Sequence, residues 1–464
     1  MSDSESLSSD DEYYGDNGEE FRNSILNNNY ALIERIGYGS YSSVWLSYSI
    51  NDDEYYAIKI QNNEDYDEGL EELKILKKIK ESKTESCINL IEGFEVIKKE
   101  LISKKIKKGK RTVTKKIMNV NKFICMVLPL MAGSIYSLIK EGKFKNGISD
   151  NLISKTINTI FDSVNNLHNK LQICHTDLKP ENILISGLSV NVSELIDEYK
   201  RFNLRDLYLK QFNKELFEKD IILTDIKQKK RIRKIKSNIL KSLHKEALES
   251  MTLIDNDNVS ECKNVEVISS ESNSDSSSEE SNNSSEKNNF SVIDDLYLNN
   301  CKIVLTDFGS CIKFRDLDND EIQTRYYRAP EVILKIPYDH KIDIWSIGCI
   351  LFEIYTGKIL FDPEKDEDFN RDFYHLNLIQ ELCGEFPKSF IKKSPLKNFF
   401  FKNNRLKYKN KNGDKLSIES IINKANPNVK LINLIKDCLI IDPVERPDIN
   451  KIMTSYYETY NLKA

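Results

Sequence analysis

The chain has 464 residues, 39% hydrophobic and 30% charged, with a formal net charge of −5. That is longer than one compact core usually holds, so two folded parts plus polar segments are expected, and no run approaches the ~20 apolar residues of a membrane span. The acidic start MSDSESLSSDDEYYGD is not expected to be a secretory signal, and nine scattered cysteines without a CxxC pair point away from a zinc site or disulfide framework and towards a reducing compartment.

Residues 1–20 are acidic and Ser-rich and are expected to be disordered, because they bury too little apolar surface to offset ordering entropy. Order is expected from Tyr30. Ala31–Ile36 reads as a strand, followed by a glycine turn, a second strand from Val44–Leu46 and a third at Tyr55–Ile60. Glu68–Ile79 has helical spacing, with Leu70, Leu73, Leu76 and Ile79 on one face. Phe123–Leu130 is an apolar strand. The lysine-rich stretch Lys98–Lys116 reads first as a long solvated hairpin tip, with a surface for nucleic acid or an acidic partner as the alternative.

Helical patterns dominate after Ser149. A compositional break runs over 187–299, and around 255–290 it is low-complexity and expected to be disordered. Its first part has helix-like stretches over Leu195–Lys245. The basic run KQKKRIRKIK at Lys227–Lys236 reads as an exposed helical face before it reads as a nuclear-import signal or a nucleic-acid patch.

Four motifs carry chemistry, and their order matters more than any one of them. Gly37-Tyr38-Gly39-Ser40-Tyr41-Ser42 lies between two strands, where glycines let backbone N–H groups approach a phosphate. Lys59 sits on the third strand as a candidate phosphate-binding cation, with Glu72 on the following helix as its expected partner. His175-Thr176-Asp177-Leu178-Lys179-Pro180-Glu181-Asn182 precedes the apolar strand Ile183–Ile185. Asp307-Phe308-Gly309 follows a strand and precedes Ala329-Pro330-Glu331. A cradle, a cation, carboxylates for a metal ion and a carboxylate for a hydroxyl are the parts that phosphoryl transfer needs.

These residues resemble the eukaryotic protein kinase superfamily, in its CMGC group. Gly37–Trp45, the HTD form of His175–Asp177, the long insert and the pattern through Asp368–Gly384 are similar to the SR-protein kinase family. Ile322–Glu331 is closer to CLK and DYRK kinases. The resemblance implies an α+β, two-lobed kinase domain over 30–457, with an N-lobe of 30–132, a C-lobe of 133–457 and the insert within the C-lobe. It implies a serine/threonine protein kinase using ATP and Mg2+ on protein substrates, Arg/Ser-rich ones among them. Thr176 is uncharged where many kinases have a phosphate-binding arginine, and Glu321 stands where DYRK kinases carry a second tyrosine, so the chain is expected to act without an activating phosphate; the alternative is that Thr324 or Tyr327 needs one. Asp177 and Lys179 are the expected catalytic residues, and Asn182 and Asp307 the metal ligands. Expected ATP contacts are Ile36, Gly37, Tyr38, Gly39, Val44, Ala57, Lys59, Glu72, Leu128, Pro129, Met131 and Leu184, with Leu128 as gatekeeper and Pro129 to Met131 as hinge. Pro129 lacks an N–H, but it need only offer its C=O to adenine. Glu331 is expected to pair with Arg446, and Asp343 to anchor the catalytic loop. Tyr374 stands where the SR-protein kinases tend to be acidic.

Nucleic acid is not expected as a partner, and the chain is expected to be a monomer of the cytoplasm or nucleus, of a host cell if it is viral. The competing reading is a pseudokinase scaffold, which would need a lost Lys59, Asp177 or Asp307; all three are present.

Overall fold

The computed structural model describes residues 21–39, 41–108, 111–140, 144–219, 228–257, 295–318, 321–363, 370–407, 417–422 and 427–460. The tail 1–20, Ser40 and the segment 258–294 lie outside them, as do the expectations placed there. The architecture is α+β, and the chain divides into two units: Met1–Leu70, Ile91–Pro129 and Val192–Asn283 form one, and Glu71–Leu90, Leu130–Asn191 and Ser284–Ala464 the other.

The first unit is built on a six-stranded antiparallel sheet. Its strands are β1 (Ile25–Leu26), β2 (Tyr30–Gly39), β3 (Ser42–Ser49), β4 (Glu54–Gln61), β5 (Glu92–Lys108) and β6 (Arg111–Leu128), in the order β1-β2-β3-β4-β6-β5. Alternation along the strands sends Trp45, Ile58, Ile60, Cys125 and Val127 into one apolar cluster with Leu32 and Phe21. The sequence placed the end of β6 at Leu130. The ladder stops at Leu128, because Pro129 has no N–H to give it. The lysine-rich stretch is the far part of the β5–β6 hairpin, paired from Glu92↔Val127 to Lys108↔Arg111.

The insert corrects one expectation. By sequence it interrupts the C-lobe, yet its helices Val190–Arg201, Leu204–Glu218 and Lys229–Asp257 belong, from Val192 on, to the unit of the β-sheet. Tyr199 packs against Tyr48 and Tyr55, with ring centroids 5.8 and 6.4 Å away. His244, 1% exposed, accepts from Tyr199 Oη at 2.8 Å through Nδ1 and donates to the Leu32 carbonyl at 3.0 Å through Nε2. From Lys229 on the basic run lies on a helix, whose other face buries Ile232, Ile235, Ile239, Leu240 and Leu243; Lys227 lies outside the described residues.

The second unit is mainly helical. Helix Ile342–Thr356 is mostly apolar and buried along its whole length, Asp343 and Glu353 included, which makes it the core of the unit. It ends at Gly357 with φ +75°, where a Cβ would fall 2.1 Å from the Lys145 carbonyl. Small sheets place the loops that matter. β7 (Met131–Ser134), β9 (Ile183–Ser186) and β10 (Ile303–Leu305) form one, and β8 (Ile173–Cys174) pairs with β11 (Ile312–Lys313). Glu331 and Arg446, both fully buried, form two bonds of 2.6 and 3.0 Å. Among the described residues no helix is long and apolar enough to cross a membrane.

Candidate active site

The sheet of the first unit gathers the expected nucleotide contacts on the face away from its apolar cluster. Cross-strand partners share a face, and so do residues two apart. Gly37 pairs with Val44, Val44 with Lys59, Lys59 with Met126, and Ala57 with both Leu46 and Leu128. Gly37, Val44, Ala57, Lys59 and Leu128 therefore line one side of the sheet. β2 and β3 stay paired out to Gly39↔Ser42, so the glycine segment is the closed end of a hairpin. A Cβ at Gly37 would meet Val44 at 3.5 Å, whereas one at Gly39 would enter open space. Ile36 is half-buried and Tyr38 exposed on the same hairpin. Pro129 follows β6.

In the second unit Glu72 is 3% exposed, and its carboxylate lies 3.5 Å from where a Gly309 Cβ would be. Met131 pairs with Ser186, and Leu184 with Ser134, so these two nucleotide candidates sit on adjacent strands.

Two carboxylates hold the loop between β8 and β9 in place. The first is Asp343, from the buried helix. It accepts from the backbone N–H of His175 at 2.7 Å and of Thr176 at 2.9 Å, and contacts His168 Nε2 at 2.8 Å. Burial alone would raise this carboxyl, but the hydrogen bond and charge of His168, with the His175 ring and amide, hold it below the usual range. Thr176 is thereby kept at φ +66°, costly for a β-branched residue, and its hydroxyl donates to the Ser310 carbonyl at 2.6 Å. The His175 ring packs at a tilt against Phe308 with centroids 5.6 Å apart, tying this loop to Asp307-Phe308-Gly309.

The second carboxylate is Asp177 itself. Oδ2 is 2.9 Å from Lys179 Nζ, and Oδ1 accepts from the Thr324 hydroxyl at 2.6 Å and its N–H at 3.2 Å. Lys179 Nζ also reaches the Thr324 hydroxyl, at 3.3 Å. Burial would lower the Lys179 ammonium, but the Asp177 carboxylate, with Glu181 and Asp307, outweighs it and holds the pKa above its usual value. Asn182 Nδ2 donates to the Asp177 carbonyl at 2.8 Å, which leaves its Oδ1 as the atom offered to a cation. Thr306 N donates to the Asn182 carbonyl at 2.9 Å, setting Asp307 next to Asn182. An oxygen-only pair, one carboxylate and one amide, suits a hard divalent ion.

Three residues of this arrangement went unread as such in the sequence. Thr324 drew notice only as a phosphate acceptor, though its place before Arg325-Tyr326-Tyr327 was a usable signal. His168 gave none, being a lone histidine in an apolar helix. Gln323 is 7% exposed and bonds Ser346 Oγ at 2.8 Å, the Ile342 carbonyl at 3.0 Å and Ala329 N at 3.0 Å, fixing the segment around Thr324.

Comparison with known proteins follows the same lines. The protein kinase domain model matches residues 30–197 and 293–457, leaving out most of the insert. A protein named as a serine/threonine-protein kinase in Acanthamoeba polyphaga mimivirus is 28% identical over 92% of this chain and 87% of its own length. The serine/threonine-protein kinase SRPK of Physarum polycephalum is 26% identical, covering 86% of this chain and 77% of its own. Human SRSF protein kinase 3 is 23% identical over 81% and 76%.

Proposed function

The chain belongs to the protein kinase family, and we propose that it phosphorylates Arg/Ser-rich proteins, with Mg2+ as its divalent ion and without prior activation by a phosphate. The activity itself is ATP-dependent phosphorylation of serine and threonine in protein substrates. The observation that carries the reading is the triangle of Asp177, Lys179 and Thr324. Asp177 is the one carboxylate there held by a hydroxyl on one oxygen and an ammonium on the other, so it can orient an incoming hydroxyl and accept its proton. Lys179 supplies positive charge where the transferred phosphoryl group gains negative charge. Asn182 and Asp307 would hold the divalent ion, which would supply positive charge against the phosphates when bound. Gly37, Gly39 and Lys59 would face the phosphates. In the first unit Ile36, Tyr38, Val44, Ala57, Leu128 and Pro129 would contact the rest of the nucleotide, and in the second unit Met131 and Leu184 would do so.

The Arg/Ser preference is supported by relatives named as SRSF protein kinases, which align over most of their length. The test is an oriented peptide-library assay with the wild-type chain, Asp177→Asn and Lys59→Met. Wild-type activity should favour serine flanked by arginine. Each variant should stay folded and lose ~10²-fold or more in rate, the usual cost of removing one such stabilising group. Near wild-type phosphate incorporation in Asp177→Asn would refute the mechanism, and indifference to arginine would refute the substrate class.

A further inference from the structure

Beyond Phe123 the β5–β6 hairpin leaves the sheet. β4 pairs with β6 only over Cys125–Leu128, so among the described residues no third strand pairs with the stretch from Lys98↔Asn121 to Lys108↔Arg111. An isolated two-stranded ribbon is marginal in water. Its charge makes that worse through self-repulsion: residues 98–122 hold eleven basic side chains against the single Glu100. One face also carries the wrong residues for water. Ile97, Leu101, Met118 and Val120 are 50%, 67%, 53% and 45% exposed, and lie among Lys99, Lys116 and Lys122 on that same face. A strand that merely meets solvent shows polar residues there.

We propose that this ribbon is the docking surface for the chain's own residues 1–20. The described chain starts at the root of the ribbon. Phe21 is 1% exposed, its ring packs edge-on against Phe123 with centroids 4.8 Å apart, and Lys98 Nζ lies 3.5 Å over it. The preceding twenty residues hold eight carboxylates and no lysine or arginine, so their charge complements the ribbon. Leu7, Tyr13 and Tyr14 supply apolar groups for the exposed face. Twenty residues reach up to ~66 Å when extended, against ~35 Å from the ribbon's root to its tip, so the tail can run its whole length. Serines beside those carboxylates would strengthen the contact on phosphorylation by adding negative charge.

The test uses the full chain and a triple variant, Asp10→Asn, Asp11→Asn and Glu12→Gln. Carbodiimide, which joins carboxylates to lysines at contact distance, should link residues 1–20 to Lys99, Lys116 or Lys122 within the monomer. Those links should be at least about fivefold more frequent than links to Lys229–Lys236, and 0.5 M salt should abolish them. Hydrogen exchange at amides 97–122 should quicken at least about fivefold in the variant. Links spread evenly over all lysines, or unchanged ribbon exchange, would overturn the proposal. So would links found only in a cross-linked dimer, which would assign the face to a second copy. A salt-sensitive RNA complex of equal affinity in wild type and variant would assign it to nucleic acid.

Discussion

The hydroxyl of Thr324 donates a 2.6 Å hydrogen bond to Oδ1 of Asp177, and Lys179 Nζ stands 2.9 Å from Oδ2 of the same carboxylate. Asp177 is thus fixed from both sides before any substrate arrives, and the two restraints come from separate segments of the chain.

Thr324→Ser should keep kcat within a few-fold, because the hydroxyl remains. Thr324→Ala should lower kcat by ~10-fold or more with little change in the KM for ATP, since misplacing one catalytic group can cost that much. Steady-state kinetics with a serine peptide measure both. Equal kcat in the two variants would refute the positioning role.

Asp343 accepts two backbone N–H groups of the catalytic loop and holds Thr176 in the left-handed region. Asp343→Asn leaves at least one of those donors or His168 badly matched inside a fully buried site. The expected cost is ~2–4 kcal/mol in stability, read from denaturant melts, together with a large loss of kcat.

The sequence carried the second unit's site further than it carried the insert, for a physical reason. Asp177, Asn182 and Asp307 sit in short motifs whose spacing reflects local backbone geometry, whereas Asp343 and the Glu331–Arg446 pair, which act across 168 and 115 residues, came with the kinase resemblance. His168 and His244 act through contacts with segments 175 and 212 residues away, and Gln323 through bonds to backbone and hydroxyl groups of helix Ile342–Thr356; no periodicity reports either. The helix Lys229–Asp257 showed an amphipathic, basic pattern, which says that one face is buried but not against what. The end of β6 was misplaced by two residues because apolar character runs through Pro129, and only the missing N–H stops the ladder.

His244 gives the insert a measurable role. His244→Ala deletes both of its hydrogen bonds and opens a cavity beside Tyr199, at an expected ~2–4 kcal/mol. Deleting 260–289 should leave stability and activity within a few-fold, because its polar composition builds no core. Burial holds the His244 pKa down to about 4, so the folded state binds this proton less well than the unfolded chain. Its share of stability is whole above about pH 6.5 and is lost as the pH falls towards 4. Unfolding followed between pH 7 and 4 should show this slope in wild type and not in His244→Gln.

Glu353 has the opposite sign. Burial raises its pKa to about 7; the Tyr327 hydroxyl, 2.7 Å away, pulls it partly back, and Glu181 adds to the rise. Above pH 7 the buried carboxylate is ionised at a cost. As the pH falls from about 7 towards the unfolded value of about 4.3, the folded state takes up the proton first and stability rises. Glu353→Gln should flatten that rise in thermal melts between pH 8 and 5. Parallel profiles for the two proteins would refute it.

The activation segment contains its own counter-ions. Arg328 is 2.6 Å from Glu321 and donates to the Gln323 carbonyl at 2.9 and 3.2 Å, while Arg325 pairs with Asp372. Many protein kinases hold a phosphate at this segment with the arginine that precedes the catalytic aspartate. Here that position is Thr176, which is uncharged and already bonded to Ser310. Of the candidate acceptors, Tyr327 is 2% exposed with its hydroxyl on Glu353, and the Thr324 hydroxyl is held by Asp177. A phosphate on Thr324 would remove that donor and set two negative charges beside a carboxylate, so it would inhibit. The enzyme should therefore be active as synthesised. Purified chain treated with a broad phosphatase, and shown by mass spectrometry to be bare between Asp307 and Ala329, should keep activity on an Arg/Ser peptide within about threefold. Glu321→Lys, which places a third cation beside Arg325 and Arg328, should lower it by ~10-fold or more. A fall of more than about tenfold on phosphatase treatment, reversed by rephosphorylation, would show instead that the segment waits for a phosphate.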